Sequence, residues 1–545
     1  MKAPESNDST PKHQKPTSGS SLIRQGSALS LLTLVSRVLG LGREMTKAAF
    51  LGTTALSDAF SVAFMIPNLF RRLFAEGSIA VAFIPTFKEY LAEHSGGKVT
   101  TEEIKEFLSC LFTFLTFVVT ITVTVGIILS PFLIRVFGME EFDETVFLTR
   151  LMFPFLIFIS IAAFFQGILN SFKIFAPSGF APILLNIAII LCAYALSPYM
   201  QNPARAMAVG VLIGGFSGAA IQLPFILKHK SKIRFFFTSI KKALNNPGTK
   251  KVLRLIGPTI IGMAAYQLND LVSTALAGNA GEGVVSSLQF SLRLQELILG
   301  VFAVSIGTVL LPDLAEHAKS RQWDIYKQRL TSAMNIIAFI AIPVTFFALS
   351  QGETLIRLLF QTRYFGEESV ALTLAAFTFH MPGLYFIALN RILAPAFYAQ
   401  SDSKSPTIAG IISFVVNIIL ASILVSHFRG SGIAFALSFS SAVNTAVLLY
   451  FLRKNPSISL ITMLRSTLGY SFKLILISAA AIIPLLFLSP FLTEVFYGNH
   501  RVISQGAPLL INAVVYSVTG IALLAATADK QFLAIVKMLK SRKKR

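Results

Sequence analysis

The chain has 545 residues, of which 54% are apolar and only 13% charged. Soluble globular proteins carry about 25% charged residues, so the composition excludes a soluble enzyme, a disordered scaffold and a receptor with a single membrane anchor. The net charge is +21, from 47 Lys and Arg against 26 Asp and Glu. In a soluble protein this charge would suggest nucleic acid, whereas in a membrane protein it indicates basic cytoplasmic loops.

The N-terminal segment 1–21 is polar and rich in Ser, Pro and Lys. It predicts a disordered cytoplasmic tail. The first apolar run begins at Leu22, contains Arg37, Arg43 and Lys47, and has no short apolar core followed by a small-residue cleavage site. We therefore interpret it as a retained first helix and not as a signal peptide.

Apolar runs of spanning length, about 20 residues or more, follow one another along the whole chain. They predict fourteen transmembrane helices near 24–51, 57–87, 107–136, 147–172, 178–200, 204–227, 252–278, 284–315, 330–360, 368–399, 406–427, 431–452, 467–492 and 507–532. The second run is interrupted by Pro67, Arg71, Arg72, Glu76 and Gly77.

The distribution of Lys and Arg supports this topology. With the N-terminus inside, the inner segments carry 32 basic residues, the outer segments 6, and the spans or their edges the remaining 9. Cytoplasmic loops of membrane proteins are enriched in Lys and Arg. The charge therefore predicts that both termini are cytoplasmic, and it argues against a nucleic-acid role.

Two short patterns recur in the same order about 225 residues apart. PFLIRVF (131–137) resembles ETLIRLLF (353–360), and FIPTFKEY (83–90) resembles LLPDLAEH (310–317). Chance similarity between aliphatic helices is the alternative. The repeat predicts an all-α polytopic membrane protein with two six-helix lobes in parallel pseudo-repeat plus a C-terminal helix pair. The predicted segments are a tail (1–21), an N-lobe (22–230), a basic cytoplasmic loop (231–251), a C-lobe (252–453), the helix pair (454–535) and a basic cytoplasmic tail (536–545).

Charged residues in the first two spans are the strongest functional signal. An ionised side chain at mid-bilayer costs at least about 2.5–3.5 kcal/mol, so helices that carry several of them face a wet cavity or pair with one another. Ser36, Gly40, Arg43 and Lys47 lie along one stripe of the first helix, with Arg37 and Glu44 beside it. In the second span we expect Asp58, Arg72 and Glu76 to project to one side. Arg293 and Glu296 repeat the pattern in the eighth span.

Two interpretations of these charges stay open. One is structural ion pairing, as Arg72–Glu76, Arg293–Glu296 and Arg37–Glu44. The other is contact with an anion, because a guanidinium makes paired hydrogen bonds to a diphosphate and does not deprotonate.

The runs SRVLGLGRE (36–44) and SDAFSVAFMIPNLFRRLFAEGSIAVAFIP (57–85) resemble the signature of the MurJ/MviN family of lipid II flippases, in the multidrug/oligosaccharidyl-lipid/polysaccharide exporter superfamily. LAPAFYAQSDSKSP (393–406) resembles the second-half motif of that family. The resemblance covers nearly the whole chain. It implies export of lipid II, the undecaprenyl-diphosphate-linked peptidoglycan precursor, to the outer leaflet.

The resemblance also implies a set of site residues. Those expected to contact the substrate are Arg37, Arg43, Arg71, Arg72 and Arg293. Those expected to be essential for transport or gating are Glu44, Asp58, Asn68, Glu76 and Glu296. Many relatives carry Lys or Arg before the LPN-type turn where this chain has Met65, so a basic contact there is lost or supplied from elsewhere.

The predicted mechanism is alternating access in a bacterial cytoplasmic membrane, with no catalytic residue, no metal and no cofactor. No GxxxxGK[ST] loop is present, so Na⁺, H⁺ or the membrane potential would drive the cycle. Asp270 is the candidate cation site, and its alternative is pairing with a cavity arginine. The expected partners are lipid II, membrane lipids and the peptidoglycan synthesis machinery, and we expect a monomer.

Four rival functions are weighed against this one. Export of another polyprenyl-linked glycan fits the same features, whereas export of cationic drugs fits poorly with the excess of arginine. An intramembrane enzyme acting on polyprenyl-diphosphate lipids would need an acidic or histidine constellation, and the seven histidines are scattered, with His380 interpreted as a packed or interfacial residue. A scaffold that transports nothing would leave the buried charges unexplained.

Overall fold

The structure is a computed structural model that describes residues 19–72, 82–228, 234–454, 459–498, 500–529 and 531–533. Side chains are described throughout these ranges except at 19–30, 258–266, 300–309 and 311. Within them the regular secondary structure is helical. The first helix begins at Gly19, so the last three residues of the predicted tail 1–21 are helical.

Nine helices occupy the first half of the described chain and nine the second. The first nine are α1 (Gly19–Leu51), α2 (Ala55–Arg71), α3 (Ile84–Ser95), α4 (Thr101–Arg135), α5 (Phe142–Met152), α6 (Phe155–Ser171), α7 (Ala176–Leu196), α8 (Pro203–Ala220) and α9 (Leu223–Leu227). The others are α10 (Ile240–Asn245), α11 (Pro247–Gly278), α12 (Val284–Lys319), α13 (Trp323–Phe360), α14 (Glu367–His380), α15 (Gly383–Ala399), α16 (Lys404–Leu452), α17 (Leu460–Val495) and α18 (Arg501–Ala526).

Long apolar helices dominate this fold. Among the described residues, eight helical segments are long and apolar enough to cross a membrane, and the bent pair α14–α15 makes a ninth. The protein is therefore a multi-pass α-helical membrane protein, and the predicted fold class is confirmed. The exact number of fourteen spans stays a prediction.

Two runs that the sequence presents as continuous are broken in equivalent places. The run 147–172 is divided between α5 and α6 at Pro154, and the run 368–399 is divided between α14 and α15 at Pro382, with a bend of 46° at the second break. Proline has no N–H to donate, and its ring clashes with the preceding turn. At the second break, the Ser438 hydroxyl donates to the Phe379 carbonyl over 2.6 Å, and the Gln295 amide donates to the His380 carbonyl.

The helix α16 contains two predicted spans, 406–427 and 431–452. Its chain reverses at Arg429, whose φ of 45° and ψ of −128° are not helical. The two arms lie antiparallel, because the Ser413 hydroxyl donates to the Ser440 carbonyl over 2.8 Å. Gly432 lies directly against the Leu424 carbonyl at this reversal, where a Cβ would come within 2.7 Å of the oxygen. Two spans joined by a tight turn are thus confirmed here.

The interrupted second run differs between the two halves. In the first half α2 ends at Arg71, α3 begins at Ile84, and residues 73–81 lie outside the described residues. In the second half the corresponding segment is the single helix α12, with Pro312 inside it. Helices α4 to α6 and α13 to α15 repeat the same order of one long helix followed by a broken pair, as the predicted repeat requires.

The C-terminal pair packs on one helix of the second half. Polar side chains from three helices meet there: Asn512 of α18 donates to the Gln351 side chain of α13 and to the Ser489 hydroxyl of α17, both over 2.9 Å. The Tyr516 hydroxyl donates to the Pro343 carbonyl over 2.9 Å. These buried hydrogen bonds, in addition to apolar packing, fix α17 and α18 to α13.

Candidate functional site

One arginine of the second half lies directly on the backbone of the first helix. A Cβ built on Gly40 would stand 2.0 Å from Nη2 of Arg293. The same guanidinium donates to Glu296 over 3.3 Å, so the predicted Arg293–Glu296 pair is present. Asn186 of α7 lies beside this contact, and its amide donates to the Ser36 carbonyl over 3.3 Å. Arg293 can approach α1 this closely because residue 40 has no side chain.

Arg43 lies one turn beyond Gly40 on α1. Its guanidinium donates to Glu44 over 2.6 Å and stands 5.7 Å from the ring centre of Phe64. Glu44 also lies 3.6 Å from the amine of Lys47. The predicted Arg37–Glu44 pair is therefore replaced by a shared contact of Glu44 with Arg43 and Lys47.

Lys47 is sealed between the two halves. Its amine donates to Ser61 of α2 over 3.0 Å and to Gln289 of α12 over 3.2 Å, and it stands 4.4 Å from the ring centre of Phe290. A buried ammonium group needs such partners, because leaving its donors unpaired costs several kcal/mol. Lys47 therefore joins α1, α2 and α12, although the sequence stripe suggests that it faces the same space as Arg43.

A second contact between the halves is made at the other end of α2. Arg72 donates to Asp270 over 3.2 Å and to the side chain of Gln267 over 3.3 Å, both on α11. Arg71 donates through Nε to Asn68 over 2.7 Å. Asp270 thus faces a cavity arginine, which was the alternative to a cation site. Glu76 lies outside the described residues, so its predicted pairing with Arg72 stays a prediction.

Several of these charged side chains keep exposed surface although they are paired. The exposed fraction of the side chain is 37% for Arg72, 47% for Asp270 and 62% for Glu296. Arg37 is half-buried, and among the described residues no hydrogen bond or ion pair holds its guanidinium. Nε of Arg293 is buried and has no partner among the described atoms. The helices α1, α2 and α12 therefore present guanidinium groups that can still accept an anionic ligand.

Asp58 joins the two halves by a helix cap. It lies in the first turn of α2 and accepts hydrogen bonds from the backbone N–H of Gly283 over 2.8 Å and of Ser286 over 2.7 Å. The first N–H groups of a helix lack partners and attract an anion. Asp58 therefore caps the start of α12. Arg72 lies about four turns away on α2 and also reaches a helix of the second half.

Two glycines, one in each half, make close contacts with the backbone of the other half at the same end of the molecule. A Cβ on Gly52, after α1, would stand 1.9 Å from the Tyr364 carbonyl of the loop after α13. A Cβ on Gly278, at the end of α11, would stand 2.1 Å from the Phe137 carbonyl of the loop after α4. Each half thus presses the backbone of one loop onto a glycine of the other half. We call these two contacts, with the Asp58 cap, the latch.

Further hydrogen bonds between the halves surround the latch. The Thr53 hydroxyl donates to Ser369 over 2.7 Å, and the Thr362 hydroxyl donates to the Ala48 carbonyl over 3.3 Å. The backbone N–H of Ala55 donates to Glu282 over 2.8 Å. All of these residues belong to the end where α1 meets α2 and α11 meets α12, so the two halves are closed together at that end.

Metal-ligating side chains do not cluster in the described part of the chain. Within that part no three His, Cys, Asp or Glu side chains come together in a group that could hold a metal ion. His380 is buried at the break between α14 and α15, and its Nδ1 lies 2.6 Å from the Ser291 hydroxyl. The interpretation of His380 as a packed residue is thus confirmed.

Several residues at these contacts carry no signal in the sequence. Asn186, Gln267 and Gln289 are uncharged amides in apolar helices, and each meets a partner more than 100 positions away. Gly52 and Gly278 are 226 positions apart, close to the spacing of about 225 between the repeated motifs. A search for glycines at that spacing would have found the pair.

Comparison with known proteins identifies the family of this chain. A sequence model described as "Lipid II flippase MurJ" matches residues 47–506. A Treponema pallidum protein named "Probable lipid II flippase MurJ" is 46% identical over 94% of this chain and 97% of its own length. A Vibrio cholerae protein of the same name is 32% identical over 78% of this chain and 82% of its own.

A solved structure has the same fold. It is described as "Lipid II flippase MurJ, inward closed conformation", is 24% identical in sequence, and superposes with a TM-score of 0.74 over 92% of this chain and 99% of that one. At this level of identity the match concerns the fold alone. The family model and the two relatives match most of the length of this chain, and they show that it belongs to the MurJ family.

Proposed function

We propose that the chain is a lipid II flippase, which moves the undecaprenyl-diphosphate-linked peptidoglycan precursor from the inner to the outer leaflet and leaves it chemically intact. The observation that carries this proposal is the position of Arg293 against α1, one turn from Arg43. The two arginines come from opposite halves, and Arg293 lies on α1 at Gly40. Two guanidinium groups held in this way suit a diphosphate, whose oxygens accept paired hydrogen bonds.

The remaining cavity arginines extend the same surface. Arg72 is tied to Asp270 and Gln267, and Arg37 has no partner among the described residues. A diphosphate entering between α1 and α12 would compete with Glu44 for Arg43 and with Glu296 for Arg293. Because each carboxylate stays nearby, it can take its arginine back when the lipid leaves. The acidic partners therefore support release as well as stability of the empty site.

The latch supports alternating access as the mode of transport. It closes the two halves at one end through Asp58, Gly52 and Gly278. The distribution of Lys and Arg predicts that this end faces outward. We propose that the head group enters from the cytoplasmic side, that the latch opens once the arginines hold the diphosphate, and that the halves then part outward.

The polyprenyl tail can stay in apolar surroundings during this step. On α1, Leu31, Leu34 and Val38 are exposed beside the charged stripe. On the C-terminal pair, Phe487 and Leu510 are exposed as well. We propose that the tail lies along these helices while the head group crosses, since exposed apolar side chains cost nothing against lipid.

The direct test is transport of defined lipid II by purified protein in liposomes. We expect Arg43→Ala to slow transport at least about tenfold, equivalent to roughly 1.4 kcal/mol of lost interaction. The matched control is Arg135→Ala, because Arg135 is exposed at the end of α4 and should leave transport unchanged. Equal rates for the two variants would remove Arg43 from the mechanism. Mass analysis must find the lipid intact, and a cleaved product would favour an enzyme.

Energy coupling stays a proposal of its own. We propose that Na⁺, H⁺ or the membrane potential resets the transporter, with Asp270 as the candidate cation ligand. The contact with Arg72 suggests that a cation would have to compete with the guanidinium. Transport by Asp270→Asn that keeps the wild-type dependence on Na⁺ and pH would exclude this role.

We further propose that the protein acts as a monomer in the bacterial cytoplasmic membrane with both termini inside, and that it receives its substrate beside the peptidoglycan synthesis machinery. The basic residues of the predicted inner segments support that orientation. Labelling of a single cysteine near either terminus in intact cells would test it: a membrane-impermeant reagent should leave that cysteine unmodified until the cells are opened.

A further inference from the structure

The connection between the two halves contains an extended segment with an unusual attachment. Residues 234–239, which we call the strap, run along α4 without helical structure. The backbone N–H of Phe236 donates to the Ser109 hydroxyl over 3.1 Å, and that of Thr238 donates to the Thr113 hydroxyl over 3.0 Å. Alternate residues of an extended chain are about 6.6 Å apart and four residues of a helix about 6 Å, so the two spacings match.

The position of the strap relative to the bilayer follows from α4. The first turns of α4 carry Glu102, Glu103 and Glu106, and the helix is apolar from Phe107 onward. Thr113 lies about 10 Å beyond Glu106 along the axis. The strap therefore lies at the boundary between head groups and acyl chains. At that depth free N–H groups are costly, which explains why α4 places hydroxyls at Ser109 and Thr113.

The three aromatic side chains of the strap differ in how much of their surface is exposed. Phe235 is packed inside, with its ring centre 5.0 Å from that of Phe112 and 5.5 Å from that of Phe164. Phe236 and Phe237 are 68% and 69% exposed, and the ring centre of Phe237 also lies 5.1 Å from that of Phe112. The preceding helix α9 exposes Phe225 and Leu227 as well. The packed ring fixes the strap, so the exposed rings form a lasting surface.

Basic residues surround these exposed rings. The connection from 228 to 254 carries nine Lys and Arg and no Asp or Glu. Lys242 reaches Glu106 over 3.2 Å. Arg234 and Lys241 are exposed, and neither pairs with an acidic residue that the structure describes. Exposed aromatic rings bordered by unpaired cations are typical of surfaces that bind anionic lipid, with the rings among the upper acyl chains and the cations at the phosphates.

We propose that the strap and α10 bind an anionic phospholipid of the surrounding bilayer. Its phosphate would contact Arg234 and Lys241, and its acyl chains would cover Phe236 and Phe237. The site lies apart from the arginines between α1 and α12 and does not depend on the substrate proposed for them. A bound lipid would hold the connection against α4 while the halves move.

The test uses the full chain in detergent, titrated with phosphatidylglycerol or with phosphatidylcholine of the same acyl chains. Native mass spectrometry counts the lipid retained. We expect wild type to retain more phosphatidylglycerol than phosphatidylcholine. In the double variant Arg234→Gln, Lys241→Gln, the ratio of the two retained lipids should fall about tenfold. The double variant Phe236→Ser, Phe237→Ser should lose retention of both lipids. Both pairs are exposed, so folding should persist, and an unchanged unfolding temperature checks this.

The matched control removes two charges elsewhere. Lys319 and Arg321 are exposed at the end of α12 and in the turn after it, in the second half, and Lys319→Gln with Arg321→Gln should keep the wild-type preference. Equal loss in the control and the strap variant would overturn the proposal, because net charge alone would then explain binding. It would also be overturned if the strap variant lost retention of undecaprenyl diphosphate and kept that of phosphatidylglycerol, which would assign the surface to the substrate.

Discussion

The guanidinium of Arg293 occupies the place where a side chain at Gly40 would stand. We predict that Gly40→Ala displaces Arg293 and lowers lipid II transport about tenfold, or roughly 1.4 kcal/mol. Stability should not fall, because Ala favours a helix over Gly by up to about 1 kcal/mol. Transport in liposomes and the unfolding temperature separate the two effects.

A neighbouring glycine gives the control for this prediction. A Cβ on Gly42 would meet Cδ1 of Ile190 at 3.7 Å, an ordinary contact. Gly42→Ala should therefore transport at the wild-type rate. If Gly40→Ala did so too, the contact with Arg293 would have no part in transport.

The carboxylate of Asp58 accepts two backbone N–H groups of α12. We predict that Asp58→Ala costs about 1–2 kcal/mol, as loss of a helix cap does. Asp58→Asn should cost less, since its amide oxygen still accepts a hydrogen bond. Ser57 is the control, because its buried hydroxyl has no partner among the described atoms, and Ser57→Ala should be close to neutral. If Asp58→Ala and Ser57→Ala had the same unfolding temperature, Asp58 would not stabilise the protein as a helix cap.

The latch should open when a side chain is placed at Gly278. The Phe137 carbonyl is backbone and cannot rotate away, so Gly278→Ala must push the loop after α4 outward. We predict several-fold faster labelling of a cysteine introduced at Ser287, which is buried behind the latch. Cys110 and Cys192 are both buried and should contribute little background.

A second glycine of the same helix tests this prediction. A Cβ on Gly257 would meet nothing within 4 Å, so Gly257→Ala should leave the labelling rate unchanged. The prediction fails if Gly278→Ala labels no faster than Gly257→Ala. Such a result would mean that the loop after α4 yields without opening the latch.

Asp402 lies in the turn before α16, inside the motif LAPAFYAQSDSKSP. Burial raises the pKa of its carboxyl, but hydrogen bonds from the Ser405 hydroxyl and from the N–H groups of Ser405 and Lys404 outweigh this, so the pKa is lowered. An aspartate whose pKa is lower in the folded protein than in the unfolded chain stabilises the fold at pH values above the unfolded pKa of about 3.9. This stabilisation is lost as the pH falls through the pKa of the folded protein.

We therefore predict that the unfolding temperature of wild type falls more than that of Asp402→Asn between pH 6 and pH 3. The variant carries no charge at this position, so acid removes nothing from it there. Circular dichroism on heating in detergent measures both proteins. Parallel curves over the whole pH range would show that the Asp402 cap contributes no pH-dependent stability.

The sequence predicts what depends on local pattern. The apolar runs, the turn at Arg429 and the pair Arg293–Glu296 all follow from residues close together in the chain. The breaks at Pro154 and Pro382 also have a local cause, yet a proline inside a span can bend a helix without ending it. The runs containing them therefore read as continuous.

What the sequence leaves out depends on contacts between the halves. Asp58 looks like a cavity acid because its partners, Gly283 and Ser286, lie 225 and 228 positions away. Lys47 shares a stripe with Arg43, but α2 and α12 cover one and leave the other accessible. Helical periodicity shows which side chains share one face of a helix, but it does not show which neighbouring helices cover that face.

The glycine contacts at Gly52 and Gly278 join backbone to backbone. They involve no charged group, so salt and proton concentration should affect them little, and no rotamer has to be recovered when they re-form. Because each half contributes one loop and one glycine, halves moving as rigid bodies must break both contacts in the same motion. Partial opening on one side alone is thereby disfavoured. The outer end should therefore have two states, open and closed, and the same backbone contacts should re-form each time it closes.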